Sequence, residues 1–463
     1  MAVTAQVRAV IGGVLLLATV GCSGSAAPSQ QRPNTAAQPR PAAAVLVPQA
    51  VGGTGPDGTG AGPAMPTRAG LARELDPLFQ LPALGGKATG LVIDPASGTE
   101  LYAHGARRPV IPASSLKVLT AAAALQAMGP DRRFSTRVVR GGAGEIVLVG
   151  GGDPALASRA PKGDRTRYPA PASLQDLAER TARALAGTGG GRLQLRYDDS
   201  LFRGTGRNPD WETSYTVKNV APVTALMADQ GRRTPENPAK TDDPAAQAAH
   251  YFAKRLGEHG IRVGKPTEGR APAGAQTLAK VDSPPLAVLV ERMLSESDND
   301  YAEAVARQTA LAKGMEASFA GGGQAVRRSL SELGMDTGAL RLLDGSGLAR
   351  GNQVTAEALA RALALAAGPA SPRLRPVTTG LPVAGFTGTL DDRFRHQARP
   401  AIGYVRAKTG TLTGVNSLTG LVRDQAGRLL VFAFVANEVA PANRETAAAG
   451  LDRLAAAVAG CGC

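Results

Sequence analysis

Histidine, cysteine and aromatic residues are scarce in this 463-residue chain, and each shortage removes a class of chemistry. The four histidines, His104, His250, His259 and His396, fall in a hairpin, a helix, the end of that helix and a loop. None lies near a serine motif, so a Ser-His-Asp triad has no placed base. No H-E-x-x-H occurs, which excludes a zinc peptidase of that signature. The three cysteines are Cys22, Cys461 and Cys463. The last two form "CGC", where pairing would require strain, so no disulfide framework is expected. No second pair of ligands completes a metal site either. Aromatic residues make up 4% against a hydrophobic content of 43%, which predicts an aliphatic core of Leu, Val and Ala and offers few rings for stacking on bases. "VGGGD" at 149–153 is glycine-rich but lacks the Lys-Ser/Thr ending of a phosphate loop. No cofactor and no metal are expected.

The formal charge is +14. Its Lys and Arg residues are scattered without a long basic block, so a nucleic-acid partner is not expected. A basic face drawn to an anionic cell surface is one explanation; an Arg-rich composition without functional consequence is the other. The N-terminus carries more information. "MAVTAQVR" is positively charged, "AVIGGVLLLATV" is long enough for a signal-peptide core but short for a spanning helix, and "GC" follows at 21–22. Residues 1–22 are expected to direct export. The small residue before Cys22 resembles a bacterial lipoprotein cleavage site, with the Cys22 thiol carrying lipid; a plain secretory signal and an uncleaved anchor are the alternatives. Residues 23–67 are low-complexity Ala, Pro, Gly and Ser, too poor in apolar surface to fold, and suit a tether.

From residue 68 the pattern changes. Two apolar runs flank "DPASG", which predicts a hairpin. "SSLKVLTAAAALQAM" predicts a helix that Gly129-Pro130 ends. Residues 132–282 mix short strands ("STRVVR", "EIVLV", "LQLRYDD") with helices such as "PAAQAAHYFAKRLGEHG". A helix, a break and a second helix follow in "SPPLAVLVERMLSESDNDYAEAVARQTA". "YVRAKTGTLTG" precedes a long hairpin turning at Asp424–Gly427, and an Ala-rich helix closes the chain. This order predicts an α+β fold: one antiparallel sheet whose first and last segments lie side by side, covered by helices, from residues 68–131 and 283–463, with 132–282 inserted.

Three short motifs stand out. In "PASSLK", residues 112–117, helical spacing lets Lys117 reach Ser114 but not Ser115. This is the only S-x-x-K in the chain. An amine acting as base there must be neutral, which requires a desolvated, electropositive pocket. In "SDN", a non-helical link lets Ser297 and Asn299 point one way and Asp298 another. In "KTGT", strand alternation puts Lys408 and Gly410 on one face; the lysine offers charge to a ligand carboxylate and the glycine room for a ligand backbone. Alone, each has an ordinary explanation: an accidental spacing, a helix cap, a strand end. Together, 183 and 111 residues apart, they form the three-part set of serine acyl-enzymes that cleave D-alanyl peptides or β-lactams. "DGSG" at 344–347 is not G-x-S-x-G and reads as a tight turn.

With "LVGGGDPAL", "YDDSLF", "LLDGSGLARGNQVT" and "GTLDDRF" in the same order, the chain from about residue 70 onward resembles the D-alanyl-D-alanine carboxypeptidase/endopeptidase group of low-molecular-mass penicillin-binding proteins, class C type. The resemblance implies a penicillin-binding-protein/β-lactamase-like transpeptidase domain with an inserted smaller domain at 132–282, shorter than is usual for the group. It implies Ser114 as nucleophile, Lys117 as its base, Ser297 as proton relay, Asn299 bonding the substrate amide and Lys117, and Lys408 holding positive charge over the site. Thr409 and Thr411 hydroxyls would bind the terminal carboxylate, beside Gly410, with the oxyanion between the Ser114 and Thr411 amides. Asp153 is a substrate-subsite candidate, a turn role being the alternative. The implied partners are peptidoglycan peptides ending in D-Ala-D-Ala, β-lactams as inhibitors, and a membrane through the Cys22 lipid, which places the protein outside the cytoplasmic membrane. A β-lactamase and a non-catalytic envelope-tethered binding protein are the competing hypotheses.

Overall fold

Two five-stranded sheets hold all the named strands in the computed structural model, which describes residues 65–160, 170–187, 191–234 and 237–463. The proposed leader, Cys22 and nearly all of the proposed tether lie outside the described residues. Among these residues no helix is long and apolar enough to cross a membrane. The strands are β1 (Lys87–Ile93), β2 (Glu100–His104), β3 (Ser135–Arg140), β4 (Glu145–Val149), β5 (Gln194–Asp198), β6 (Thr267–Glu268), β7 (Thr277–Asp282), β8 (Val405–Leu412), β9 (Val415–Arg423) and β10 (Leu429–Asn437).

The first sheet is antiparallel throughout, in the order β2-β1-β10-β9-β8. As the apolar patterning predicts, β1 from the start of the fold pairs with β10 from its end. Every residue of β10 after Leu429 is buried, because helices cover both faces of the sheet. Alternation divides the strand: Val431, Ala433 and Val435 join one core, while Phe432, Phe434 and Ala436 join the other. The first core contains the Leu116–Met128 helix, whose ten residues from Leu116 to Leu125 are all buried. A helix enclosed on every side has no polar face, and its four consecutive alanines let neighbouring elements approach closely. The second core is closed by the Arg68–Phe79 and Arg444–Gly460 helices. Thr67 caps the former, its Oγ1 accepting from the Gly70 amide at 2.9 Å.

The second sheet, in the order β6-β5-β4-β3-β7, is built entirely from residues between the Leu116–Met128 and Leu286–Ser295 helices. It is mixed: β4–β5 and β5–β6 run parallel, β3–β4 and β3–β7 antiparallel. The Leu174–Ala184 and Pro244–Glu258 helices bury Leu177 and Phe252 in a core with Val138, Ile146, Leu148 and Leu195.

At the C-terminus Cys461 and Cys463 form a disulfide, a single bridge across one residue and not a framework. The last helix ends at Gly460 and the backbone turns extended at Cys461, which brings the two Cα atoms to 5.1 Å, inside the ordinary disulfide range. The Cys463 carbonyl accepts from the Thr67 amide at 2.6 Å, joining the two ends of the fold.

Phe434 is fully buried between Phe79 and Phe432. Phe434→Ala is expected to lower the unfolding free energy by about 3–5 kcal/mol in denaturant titration. Phe386→Ala, at a side chain 66% exposed, is expected to change it by no more than about 0.5 kcal/mol.

Candidate active site

The Leu116–Met128 helix is entered through a single 3-10 turn, Ala113–Ser115. Ala113 adopts a left-handed backbone, φ 48°, costing on the order of 1–3 kcal/mol in a residue with a Cβ. Two glycines press on this segment from opposite sides. A Cβ on Gly347 would overlap the Ala113 carbonyl oxygen; one on Gly410 would lie 2.9 Å from the Pro112 carbonyl oxygen and 3.0 Å from the Ser114 nitrogen. Within the chain, the missing side chain of Gly410 makes room for the Ser417 hydroxyl and for the turn at Pro112–Ser114. The close approach puts strand β8, the edge of its sheet, against Ser114.

The two serines of the first motif diverge as their spacing predicts. Ser115 is buried, its hydroxyl 2.8 Å from Ser417 Oγ, which itself donates to the Pro112 carbonyl at 2.8 Å. Ser114 is partly exposed and its Oγ lies 2.9 Å from Lys117 Nζ. The Lys117 side chain is fully buried, and its Nζ also lies 2.7 Å from Asn299 Oδ1 and 2.8 Å from the Ser346 carbonyl oxygen. Burial pushes Lys117 down to about 8, working against the attraction of Asp344, Glu303, Asp298 and Asp300.

The second motif sits between two helices, Leu286–Ser295 and Asn299–Ala312. Ser297 takes a left-handed φ of 57° and is half-buried. It forms no hydrogen bond with Ser114 or Lys117. Asp298 turns away and caps the following helix, accepting from the Tyr301 amide at 3.1 Å. Asn299 faces Lys117 with its oxygen, while its Nδ2 donates to the Asn219 carbonyl at 3.0 Å. This bond uses one of the two N–H groups of that amide.

Lys408 is also fully buried, donating to the Thr409 carbonyl at 2.7 Å. Burial and then the nearby Lys117 hold it well below the usual lysine range. Two ammonium groups disfavour each other in so dry a place, and the effect falls on Lys408, while Lys117 is lowered by burial. Thr409 Oγ1 donates to Thr389 Oγ1 at 2.8 Å. Thr411 is partly exposed on the same strand. Asp153 stands apart from this group: its Oδ1 accepts from the Ala155 amide at 2.8 Å in a local turn, and its Oδ2 has no hydrogen-bond partner. Burial pushes its carboxyl up to about 7.

Several participants escape a reading of the sequence. The "DGSG" turn contributes the Ser346 carbonyl to Lys117, and Gly347 contributes its lack of a Cβ. Asp344 anchors that turn, accepting from Gly347 N, Ala349 N, Asn352 Nδ2 and Trp211 Nε1. Glu303 accepts from the Gly345 and Ser346 amides, and burial followed by the neighbouring Asp344 pushes it up to about 8. The glycines of the turn were visible; that its carbonyl meets a lysine 229 residues away was not.

Comparison with known proteins agrees with this geometry. The profile of the D-Ala-D-Ala carboxypeptidase 3 (S13) family matches residues 71–241 and 235–458. A carboxypeptidase of Mycobacterium tuberculosis is 40% identical over 410 residues, covering 86% of this chain and 86% of its own. The D-alanyl-D-alanine carboxypeptidase of an Actinomadura species is 32% identical over 475 residues, covering 82% and 84%. Among solved structures, penicillin binding protein 4 of Haemophilus influenzae superposes with a TM-score of 0.67 at 21% identity, over 84% of this chain and 98% of its own, a likeness of fold.

Gly410→Ala is expected to force β8 away from Ser114 and slow acylation of that serine by roughly 100-fold, the scale of a misplacement near 1 Å. Stopped-flow acylation beside a thermal melt checks this. A variant acylated at the wild-type rate would show that the close approach does not position Ser114.

Proposed function

The chain belongs to the D-Ala-D-Ala carboxypeptidase 3 (S13) family, and from that premise we propose that it cleaves peptidoglycan peptides ending in D-Ala-D-Ala through an acyl-enzyme on Ser114. One observation carries the assignment: the amine of a fully buried lysine, its proton affinity lowered, 2.9 Å from a partly exposed serine hydroxyl.

Neutral Lys117 takes the Ser114 proton as Oγ attacks the carbonyl carbon of the penultimate D-Ala. The tetrahedral oxyanion rests between the backbone N–H groups of Ser114 and Thr411, both fixed before the reaction and therefore effective. Collapse breaks the C–N bond, and the departing D-Ala amine receives a proton through Ser297 and Lys117. Asn299 holds the Lys117 amine in line. Lys408 and the hydroxyls of Thr409 and Thr411 receive the terminal carboxylate, whose negative charge favours the protonated form of Lys408 once bound. Water then hydrolyses the ester. A β-lactam enters the same cycle, its opened ring remaining on Ser114. The outer edge of β8 is bridged to residues 382–384 as far as Ala407; beyond it no named strand flanks β8, which suits addition of an extended peptide, free stem or crosslink, so endopeptidase action belongs to the same proposal. Asp153 is retained as a subsite candidate on the strength of its buried, unpartnered carboxyl oxygen, and residues 132–282 as the family's insertion. Such a substrate requires a location outside the cytoplasmic membrane, consistent with the leader-like residues 1–22 and lipidation at Cys22.

Labelled penicillin followed by intact mass separates the readings. A long-lived adduct is expected; rapid turnover would indicate a β-lactamase, and no adduct a binding protein. Ser114→Ala is expected to abolish labelling and Ser115→Ala to retain it, at a cost of about 1 kcal/mol for the lost hydrogen bond to Ser417. The reverse pattern overturns the assignment.

The base must be unprotonated, so the acylation rate constant is expected to rise about tenfold per pH unit below 8 and to level off above it. A profile flat from pH 6 to 9 would remove Lys117 as the base.

A further inference from the structure

The second motif is gripped by residues that belong to the stretch between β3 and β7. Four of them meet three consecutive positions. The Asn219 carbonyl accepts from Asn299 Nδ2 at 3.0 Å, the Ala221 amide donates to Asp300 Oδ1 at 2.8 Å, Gln230 Nε2 donates to Asp298 Oδ2, and Lys240 Nζ donates to Asp300 Oδ2 at 2.6 Å. Lys240 also donates to the Gln230 carbonyl at 2.9 Å. Asp229 and Gln230 both hold left-handed backbones, φ 50° and 58°, a costly conformation that surrounding contacts must sustain. One ammonium therefore ties a strained turn to the residue that follows Asn299.

The pair is nearly dry, with the Lys240 and Asp300 side chains 5% and 3% exposed. Burying two charges gains little stability over an apolar contact of the same size, while removing one partner is strongly destabilising. The position of the pair suggests what it accomplishes. An Asn amide has one acceptor and one donor end. The Asn219 carbonyl claims the donor end, so the acceptor end meets Lys117 Nζ at 2.7 Å.

We propose that Lys240 is a positioning residue for acylation: by clamping Asp300 and the Gln230 turn it holds Asn299, and through Asn299 it holds Lys117 against Ser114. This rests on the assignment of Ser114 and Lys117 made above. The clamp gives the second sheet's stretch of chain a part in the chemistry although, among the described residues, none of its side chains touches Ser114 or Lys117 by a hydrogen bond.

Charges around the base are distributed over several elements. Lys117 is faced by Asp298, Asp300 and Glu303 at and along the Asn299–Ala312 helix, by Asp344 in the 344–347 turn and by Lys408 on β8. Asp300 is faced by Lys240 and Asp298. Replacing Asp300 by its neutral amide removes a negative charge that favours protonated Lys117. The lysine then loses its proton at lower pH, and the acid limb of the acylation profile moves down.

The test follows penicillin acylation of the full chain by stopped flow, with a thermal melt on each variant. Lys240→Met is expected to slow acylation about tenfold or more. The double variant Lys240→Met with Asp300→Asn leaves no lone buried charge, so it is expected to recover the wild-type melting temperature yet stay slow, and it keeps the test readable should the single variant fail to fold. Asp300→Asn alone is expected to shift the acid limb down by about half a pH unit. A double variant that recovers rate and melting temperature together would make the pair merely structural, and a single variant as fast as wild type, or an unmoved acid limb, would equally overturn the proposal. Wild-type protein that takes no label would instead remove the Ser114 assignment.

Discussion

A lysine amine enclosed by protein and met by three oxygens, two of them from remote parts of the chain, is the constraint on which this molecule is organised. Lys117 Nζ is reached by Ser114 Oγ, Asn299 Oδ1 and the Ser346 carbonyl. A protonated amine donates to all three. A neutral one donates to two and keeps a lone pair for the third, and the serine hydroxyl is the partner able to supply a proton. Burial weights the balance toward the neutral form, four carboxylates weight it back, and the result sits near neutrality. The fold therefore maintains the amine at the edge of its titration instead of in one state.

Holding that point requires backbones closer than side chains allow. Ala113 is forced left-handed where Gly347 and Gly410 press on the turn before Ser114. Ser297 is left-handed in the second motif. Strain at such positions persists only where the surroundings over-determine it, and here the surroundings are the enclosed Leu116–Met128 helix and strands β9 and β10, buried save for Arg423 and Leu429. The thickness of the hydrophobic layers on both faces of the first sheet is what makes the strained turn sustainable. The "DGSG" turn is braced by Asp344 and Glu303, which accept its amides and leave its carbonyls pointing at the helix, one to Lys117 and one to Thr120.

The second sheet enters the same arrangement from outside. Its own core is separate from the two around the first sheet, yet its connecting chain supplies Asn219, Ala221, Gln230 and Lys240 to the segment that carries Asn299. The family match, over residues 71–241 and 235–458, spans the strands of both sheets.

Much of this was legible without coordinates. Period-2 and helical patterning located the hairpins and helices, because burial of a face leaves a repeat that any window reveals. Helical spacing chose Ser114 over Ser115, since one turn of helix is a local property. Partners that meet only after the chain has returned on itself were hidden: the Ser346 carbonyl and the Asn219 carbonyl are backbone atoms, which every residue has, so no residue type announces them. The space left by Gly410 is likewise met by Ser417, Pro112 and Ser114, segments that no local spacing brings together. The sequence by itself determined which residues are candidates for the chemistry and along which elements they lie, because those are matters of side-chain type and local periodicity. Only the tertiary structure decided how dry the lysines are, which carbonyls surround them and which glycine faces which turn, because desolvation and close approach exist only between segments distant along the chain.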